Sequence, residues 1–306
     1  MSSVTKRLIL EYYMVMENKQ KIIVVTGGAG FIGSHLIESM VTSPLNRVIS
    51  LDNYFTGKKE NHIPGAEYRE GHTKDIEKLI PETPDIIYHL GEYSRVEKSF
   101  DDVSIVWDMN VAGTFSVLEF CRKKGSKILY AGSSTKFGDG GMGRDQSPYA
   151  WTKATNTDLV VNYGKWFGID FAITYFYNVY GGREISKGEY ATLMGIFKER
   201  YLSGMPFSIV SPGTQRRNFT HVDDIVSGLI LVGENGHGDE YGLGATESYS
   251  ILEVAQMFGG EIEMLPERPG NRMGSSLDIH RATQELGWKA NRKLTDFIEE
   301  IKSKKK

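Results

Sequence analysis

The stretch Ile22-Ile23-Val24-Val25-Thr26-Gly27-Gly28-Ala29-Gly30-Phe31-Ile32-Gly33 decides how the rest of the chain is read. Its β-branched run, residues 22–26, predicts a strand that leads straight into glycines and then into residues 31–42, where apolar side chains recur at helical spacing. Glycines standing where a strand meets a helix are the arrangement that cradles a phosphate. Gly28 and Gly30 are read as permitting the tight turn and the close approach of backbone to a pyrophosphate. Gly33 is read as letting helix and sheet pack closely, while free amides at the helix N-terminus meet the anion.

Outward from that turn the chain alternates short β-branched runs with longer helical stretches, which predicts a doubly wound parallel sheet covered by helices. Further strands are expected at 47–52, 86–90, 127–132 and 170–175. Helices are expected around 107–123, 149–167 and 190–203, with another from Val222. Residues 1–20 form an N-terminal extension in this reading. A dinucleotide-binding Rossmann domain follows over 21–177, its core also using about 219–245, with a smaller substrate lobe interleaved over 178–306. At the end of the second strand stands Asp52, where an acid accepts both hydroxyls of an adenosine ribose and repels a 2'-phosphate. NAD is therefore expected over NADP.

The 36 basic and 39 acidic side chains give a formal charge of -3, which supplies no global field for a polyanion, so nucleic acid is not an expected partner. The lone Cys121 rules out an intramolecular disulfide or a multi-cysteine metal site, and no metal is expected. It also fits a reducing compartment. Glu11 and Glu17 interrupt the N-terminal apolar run before signal-peptide length, so a cytoplasmic chain without a membrane span is expected.

Tyr149 and Lys153 are spaced i, i+4 on an expected helix and share one face. Ser133 lies at the carboxyl end of the strand over 127–132, where a doubly wound sheet places its chemistry. An ammonium beside a phenol favours phenolate, which makes Tyr149 the expected general base, with Ser133 aligning the substrate hydroxyl and Lys153 also anchoring the coenzyme ribose.

With these residues in place the chain resembles the extended short-chain dehydrogenase/reductase family, the NAD-dependent nucleotide-sugar epimerases and dehydratases. The likeness spans roughly residues 21–290. It includes the glycine turn, Asp52-Asn53 with Thr56-Gly57, His89-Leu90, Asn110-Val111-Ala112-Gly113-Thr114, Tyr149 with Lys153, Asn178-Val179-Tyr180-Gly181, Gln215 to Asp224, Arg268-Pro269-Gly270 and Leu286-Gly287-Trp288. The resemblance implies coenzyme contacts at Gly27, Gly28, Gly30, Phe31, Ile32, Gly33, Asp52, Asn53, Leu90, Tyr149 and Lys153. It implies substrate contacts at Ser94, Ser134, Thr135, Asn178, Arg217 and Arg268, the two arginines pairing with phosphates. Asn110 is expected to order the catalytic helices, and the helices around 107–123 and 149–167 to form a homodimer interface. The chain departs from the pattern at His72, Lys136, Phe137 and the glycine-rich segment 138–143.

Which reaction follows is read by elimination. A 4,6-dehydratase of the familiar type carries acid and base carboxyls just after the serine, where this chain has Ser134 and Thr135. Relatives that decarboxylate a uronic acid sugar usually carry Glu at the Thr135 position. A reductase using NADPH conflicts with Asp52. The expected activity is 4-epimerisation through a 4-keto sugar, and the similarity of Leu51-Asp52-Asn53 with Thr56-Gly57 to enzymes acting on UDP-sugars implies a UDP-hexose or UDP-N-acetylhexosamine as substrate. The alternatives are a dehydratase, a lyase, that recruits Glu92, and a dinucleotide-binding sensor, against which the intact Ser133, Tyr149 and Lys153 argue.

Overall fold

The computed structural model describes residues 20–134, 143–266 and 277–305. Seven strands form one sheet: β1 Lys21–Thr26, β2 Asn46–Asp52, β3 Glu67–Glu70, β4 Ile86–His89, β5 Lys127–Ser133, β6 Phe171–Phe176 and β7 Gly238–Leu243. Every pairing is parallel, in the order β7-β6-β5-β4-β1-β2-β3. β1 therefore lies between β2 and β4, the point where the winding reverses and the strand ends part to leave a crevice.

Helices α1 Phe31–Met40, α2 Gly113–Lys124, α3 Pro148–Phe167, α4 Leu193–Ser203 and α5 Val222–Asn235 follow. Successive side chains of a strand point to opposite faces, and in β1 both faces are covered. Ile23 and Val25 pack with Leu36 and Ile37 of α1 and Ile225 and Leu229 of α5. Val24 packs on the other face with Val117 and Leu118 of α2 and Val160 of α3. That is why the opening strand reads as an unbroken apolar run. A separate cluster built on Phe197, Phe207, Val254 and Phe258 holds the smaller lobe.

The expected strands and helices form, with differences that include the following three. The helix expected over 107–123 is a short helix Val103–Val106, a wide π turn Trp107–Ala112 and then α2. The edge strand Glu67–Glu70 has little apolar content to announce it. It is held by Arg47 on Glu67 at 2.7 Å and Arg69 on Glu82 at 2.6 Å, as well as by its pairing with β2. The helix expected from 190 begins at Leu193, because the Thr192 hydroxyl caps it by accepting from the Gly195 amide. Among the described residues no helix is long and apolar enough to cross a membrane.

Candidate active site

The turn between β1 and α1 uses its glycines in distinct ways. Gly27 has φ +72, the left-handed conformation, and its Cβ position would lie 2.9 Å from the Gly91 Cα after β4. A Cβ on Gly33 would stand 2.2 Å from the Gly27 carbonyl oxygen, so the first turn of α1 closes tightly over the loop. Gly28 points away from the cleft, where a Cβ would meet the Ser50 hydroxyl at 2.4 Å and Ile37 at 2.6 Å. Its smallness serves packing between α1 and β2. The N-terminus of α1 has no side-chain cap and no acid in its first turn, which leaves amides and the positive end of the helix for an anion.

Asp52, at the end of β2, accepts from the Ala29 amide at 2.9 Å and the Tyr54 amide at 2.8 Å. Burial pushes its carboxyl up, against the pull of these two amides. A glycine cradle, an uncapped helix and a carboxylate at the second strand fit a dinucleotide.

α3 is started by the Ser147 hydroxyl, which accepts from the Ala150 amide at 3.1 Å, with Pro148 in the first turn. That start sets Tyr149 over the end of β5, and its hydroxyl donates to Ser133 Oγ at 3.3 Å. One turn on, the Lys153 ammonium donates to the Ala131 carbonyl and lies 4.4 Å from the Tyr130 ring centroid. It also pairs with Glu92. The expectation set the ammonium beside Tyr149 and the coenzyme ribose, with no carboxylate partner. The structure gives it a carboxylate partner from the loop after β4, and that is the main departure of the site from the sequence reading.

Asn110, on the wide turn before α2, accepts from the Tyr93 amide at 2.7 Å and donates to the Thr152 hydroxyl at 3.1 Å. It ties the loop after β4 to α3. A π turn at this place has the geometry often found beside functional sites.

A cleft of about 590 Å³ runs along the strand ends and under the smaller lobe. Gly27, Gly30, Phe31, Ile32, Gly33, Asp52, Asn53, Leu90, Ser94, Ser133, Ser134, Tyr149, Lys153, Asn178 and Arg217 all line it. Thr135, Arg268, Lys136 and Phe137 lie outside the described residues, as does most of the glycine-rich segment. Among the described residues no cluster of His, Cys, Asp and Glu could hold a metal ion.

Two cleft residues escaped the sequence reading. Arg95 donates to the Tyr190 carbonyl at 2.8 Å and to the Ser94 hydroxyl at 3.1 Å, and burial draws its pKa down. Glu184 accepts from the Gly181 amide at 3.2 Å and the Thr192 hydroxyl at 2.8 Å, and burial pushes its carboxyl up to about 7. Neither had a spacing or a neighbour in the sequence to set it apart. Both are brought to the cleft by loops.

Comparisons with known proteins bear on the family and the fold. The model of the NAD dependent epimerase/dehydratase family matches residues 23–244. A Methanocaldococcus jannaschii protein named provisionally as a UDP-glucose 4-epimerase is 31% identical, over 91% of this chain and 96% of that protein. UDP-glucuronic acid decarboxylase 6 of Arabidopsis thaliana is 30% identical, over 90% of this chain and 86% of that one. Among solved structures, the UDP-glucose 4-epimerase of Thermotoga maritima with UDP-glucose superposes with a TM-score of 0.86 at 26% identity, covering 92% of this chain and 99% of that chain.

Proposed function

Because the chain belongs to the NAD dependent epimerase/dehydratase family, we propose that it is a 4-epimerase of a UDP-hexose or UDP-N-acetylhexosamine. The observation that carries the reading is the donor-acceptor pair of Tyr149 and Ser133 at the end of β5, with Lys153 one turn further along α3 and no acid at residue 134. NAD supplies the hydride acceptor and donor. Tyr149 takes the proton of the sugar hydroxyl being oxidised and returns one on reduction, which is general base and general acid work by one group. Ser133 holds that hydroxyl in line. Arg217 serves the diphosphate of the substrate, Asn178 its phosphate side, and Ser94 and Ser134 the sugar.

The Glu92 that a dehydratase could recruit has both carboxylate oxygens occupied, one by Lys153 and the other by Thr114, Tyr130 and Asn156. One observation favours the second reading: Glu184 lines the cleft with a carboxyl held near neutrality, poised to exchange a proton. The NAD-loaded protein incubated with a panel of UDP-, GDP- and dTDP-sugars, followed by NMR, separates the readings. The expected result is an equilibrium mixture of two 4-epimers of a UDP-sugar. A stable 4-keto-6-deoxy product would instead support the dehydratase, and a pentose product from UDP-glucuronic acid a decarboxylase.

A homodimer completes the proposal. Trp107 and Trp151 stack with ring centroids 5.6 Å apart and are 51% and 39% exposed, and Phe115 on α2 is 50% exposed. Aromatic side chains left open on adjoining helices are the composition of a patch that a second copy covers. Trp107→Arg is expected to convert a dimer to a monomer in analytical ultracentrifugation. A parent that sediments as a monomer at high micromolar concentration would dismiss the dimer.

A further inference from the structure

We infer that Glu92 is a positioning residue for proton transfer, a buried carboxylate that clamps the Lys153 ammonium and, by offsetting its charge, sets the pH at which Tyr149 loses its proton. The inference rests on the reading of Tyr149 as the base.

The side chains of Glu92 and Lys153 are 4% and 5% exposed. Glu92 Oε2 meets Lys153 Nζ, while Oε1 accepts from the Thr114 hydroxyl at 2.7 Å, the Asn156 amide at 2.9 Å and the Tyr130 hydroxyl at 3.1 Å. Proton positions follow from the network. Thr114 spends its hydroxyl hydrogen on Glu92, so toward His89 Nε2, at 2.9 Å, it accepts. His89 then carries its proton on Nε2, and its Nδ1 accepts from Thr26 Oγ1 at 2.7 Å. The Thr26 oxygen in turn accepts from the Gly91 amide at 3.0 Å. His89 is neutral in this assignment, in keeping with burial, which draws its pKa down to about 4.

All the donors facing Glu92 suit an ionised carboxylate. Burial opposes the charge, but the Lys153 ammonium and the hydrogen bonds outweigh it and hold the carboxyl below its ordinary range. Of the other titratable groups facing the pair, Tyr130 on β5 is kept neutral by burial and His89 on β4 is neutral. Arg95 and Glu184 face the cleft from their loops, and α2 contributes only the uncharged Thr114. The buried Lys153–Glu92 pair thus sums to zero, so the ammonium one turn along α3 from the phenol is a compensated charge, with Arg95 the other cation that interacts with that phenol.

The test is the phenolate absorbance of the NAD-loaded protein titrated with base, with the signal of Tyr149→Phe subtracted. Glu92→Gln keeps the shape and removes the charge. Phenolate formation is expected to move about one to two pH units lower, the scale of an opposite charge left uncompensated nearby. Glu92→Asp is expected to restore the parental midpoint to within roughly a third of a unit on the same grounds. Should Glu92→Gln not fold, the double variant Glu92→Leu with Lys153→Met replaces a buried ion pair by apolar groups, a change that buried pairs commonly tolerate. Its phenolate midpoint is expected within about half a unit of the parent, since the pair removed carries no net charge. An unmoved midpoint in folded Glu92→Gln, or a rise of more than about one unit in the double variant, overturns the inference. No substrate is needed, so silence across the sugar panel would defeat the epimerase reading without touching this one.

Discussion

Tyr149→Phe is expected to lower turnover by a factor of about 10³ or more while NAD affinity stays within about threefold of the parent, because general acid-base groups contribute roughly 10² to 10⁴. The change deletes one hydroxyl and leaves the ring. That hydroxyl donates to Ser133 at 3.3 Å, long for an O–H to oxygen contact, so its loss should cost the fold no more than about 1 kcal/mol. The ring packs against the cluster of Tyr93, Val106 and Met109 and is retained. Turnover measured by NMR, affinity by calorimetry and the midpoint of thermal unfolding separate the two effects. Activity within severalfold of the parent would remove Tyr149 from the role of base. Loss of activity together with NAD binding would mean that the variant had disturbed the cleft, which the geometry does not predict.

The parts of the molecule legible in the sequence are those decided by local physics. The run Lys21–Thr26 could be read because both faces of β1 are covered, so it is apolar without alternation. Asp52, Ser133 and Tyr149 could be placed because each stands at a strand end or in the first turn of a helix. What resisted reading depended on residues distant in sequence. The strand Glu67–Glu70 is held by charges from β2 and from Glu82, which no window of four residues contains. The partner of Lys153 lies 61 residues away, and the sequence offers Glu92 only as an acid that a dehydratase could recruit because nothing near it reveals a lysine partner. The wide turn at Trp107–Ala112 also broke an apparently continuous helical period, and it is that turn which aims Asn110 at Tyr93.

Gly33→Ala is expected to abolish measurable NAD binding at micromolar coenzyme and to destabilise the fold by about 1–3 kcal/mol, the usual range for forcing a methyl into a packed site. The new Cβ would stand 2.2 Å from the Gly27 oxygen and 2.9 Å from the Gly27 carbonyl carbon and the Gly28 Cα, all backbone atoms with no rotamer to swing aside. Nor can the loop retreat as a unit. The Gly27 amide donates to the Leu51 carbonyl at 2.9 Å, and Ala29 donates to Asp52 at 2.9 Å. On the other side lies Gly91, whose Cα would stand 2.9 Å from a Cβ on Gly27. The helix must move instead, and α1 is pinned through the fully buried Leu36 and Ile37. Relief therefore comes by opening the turn that would hold the pyrophosphate. Gly30→Ala provides the gradation, since its Cβ would meet only the Gly27 oxygen, at 3.1 Å, so a shift of a few tenths of an ångström relieves it. Calorimetry should rank coenzyme affinity parent, then Gly30→Ala, then Gly33→Ala. Equal losses in the two variants would mean that glycine is needed at this turn for some reason other than the close approach of α1 to Gly27.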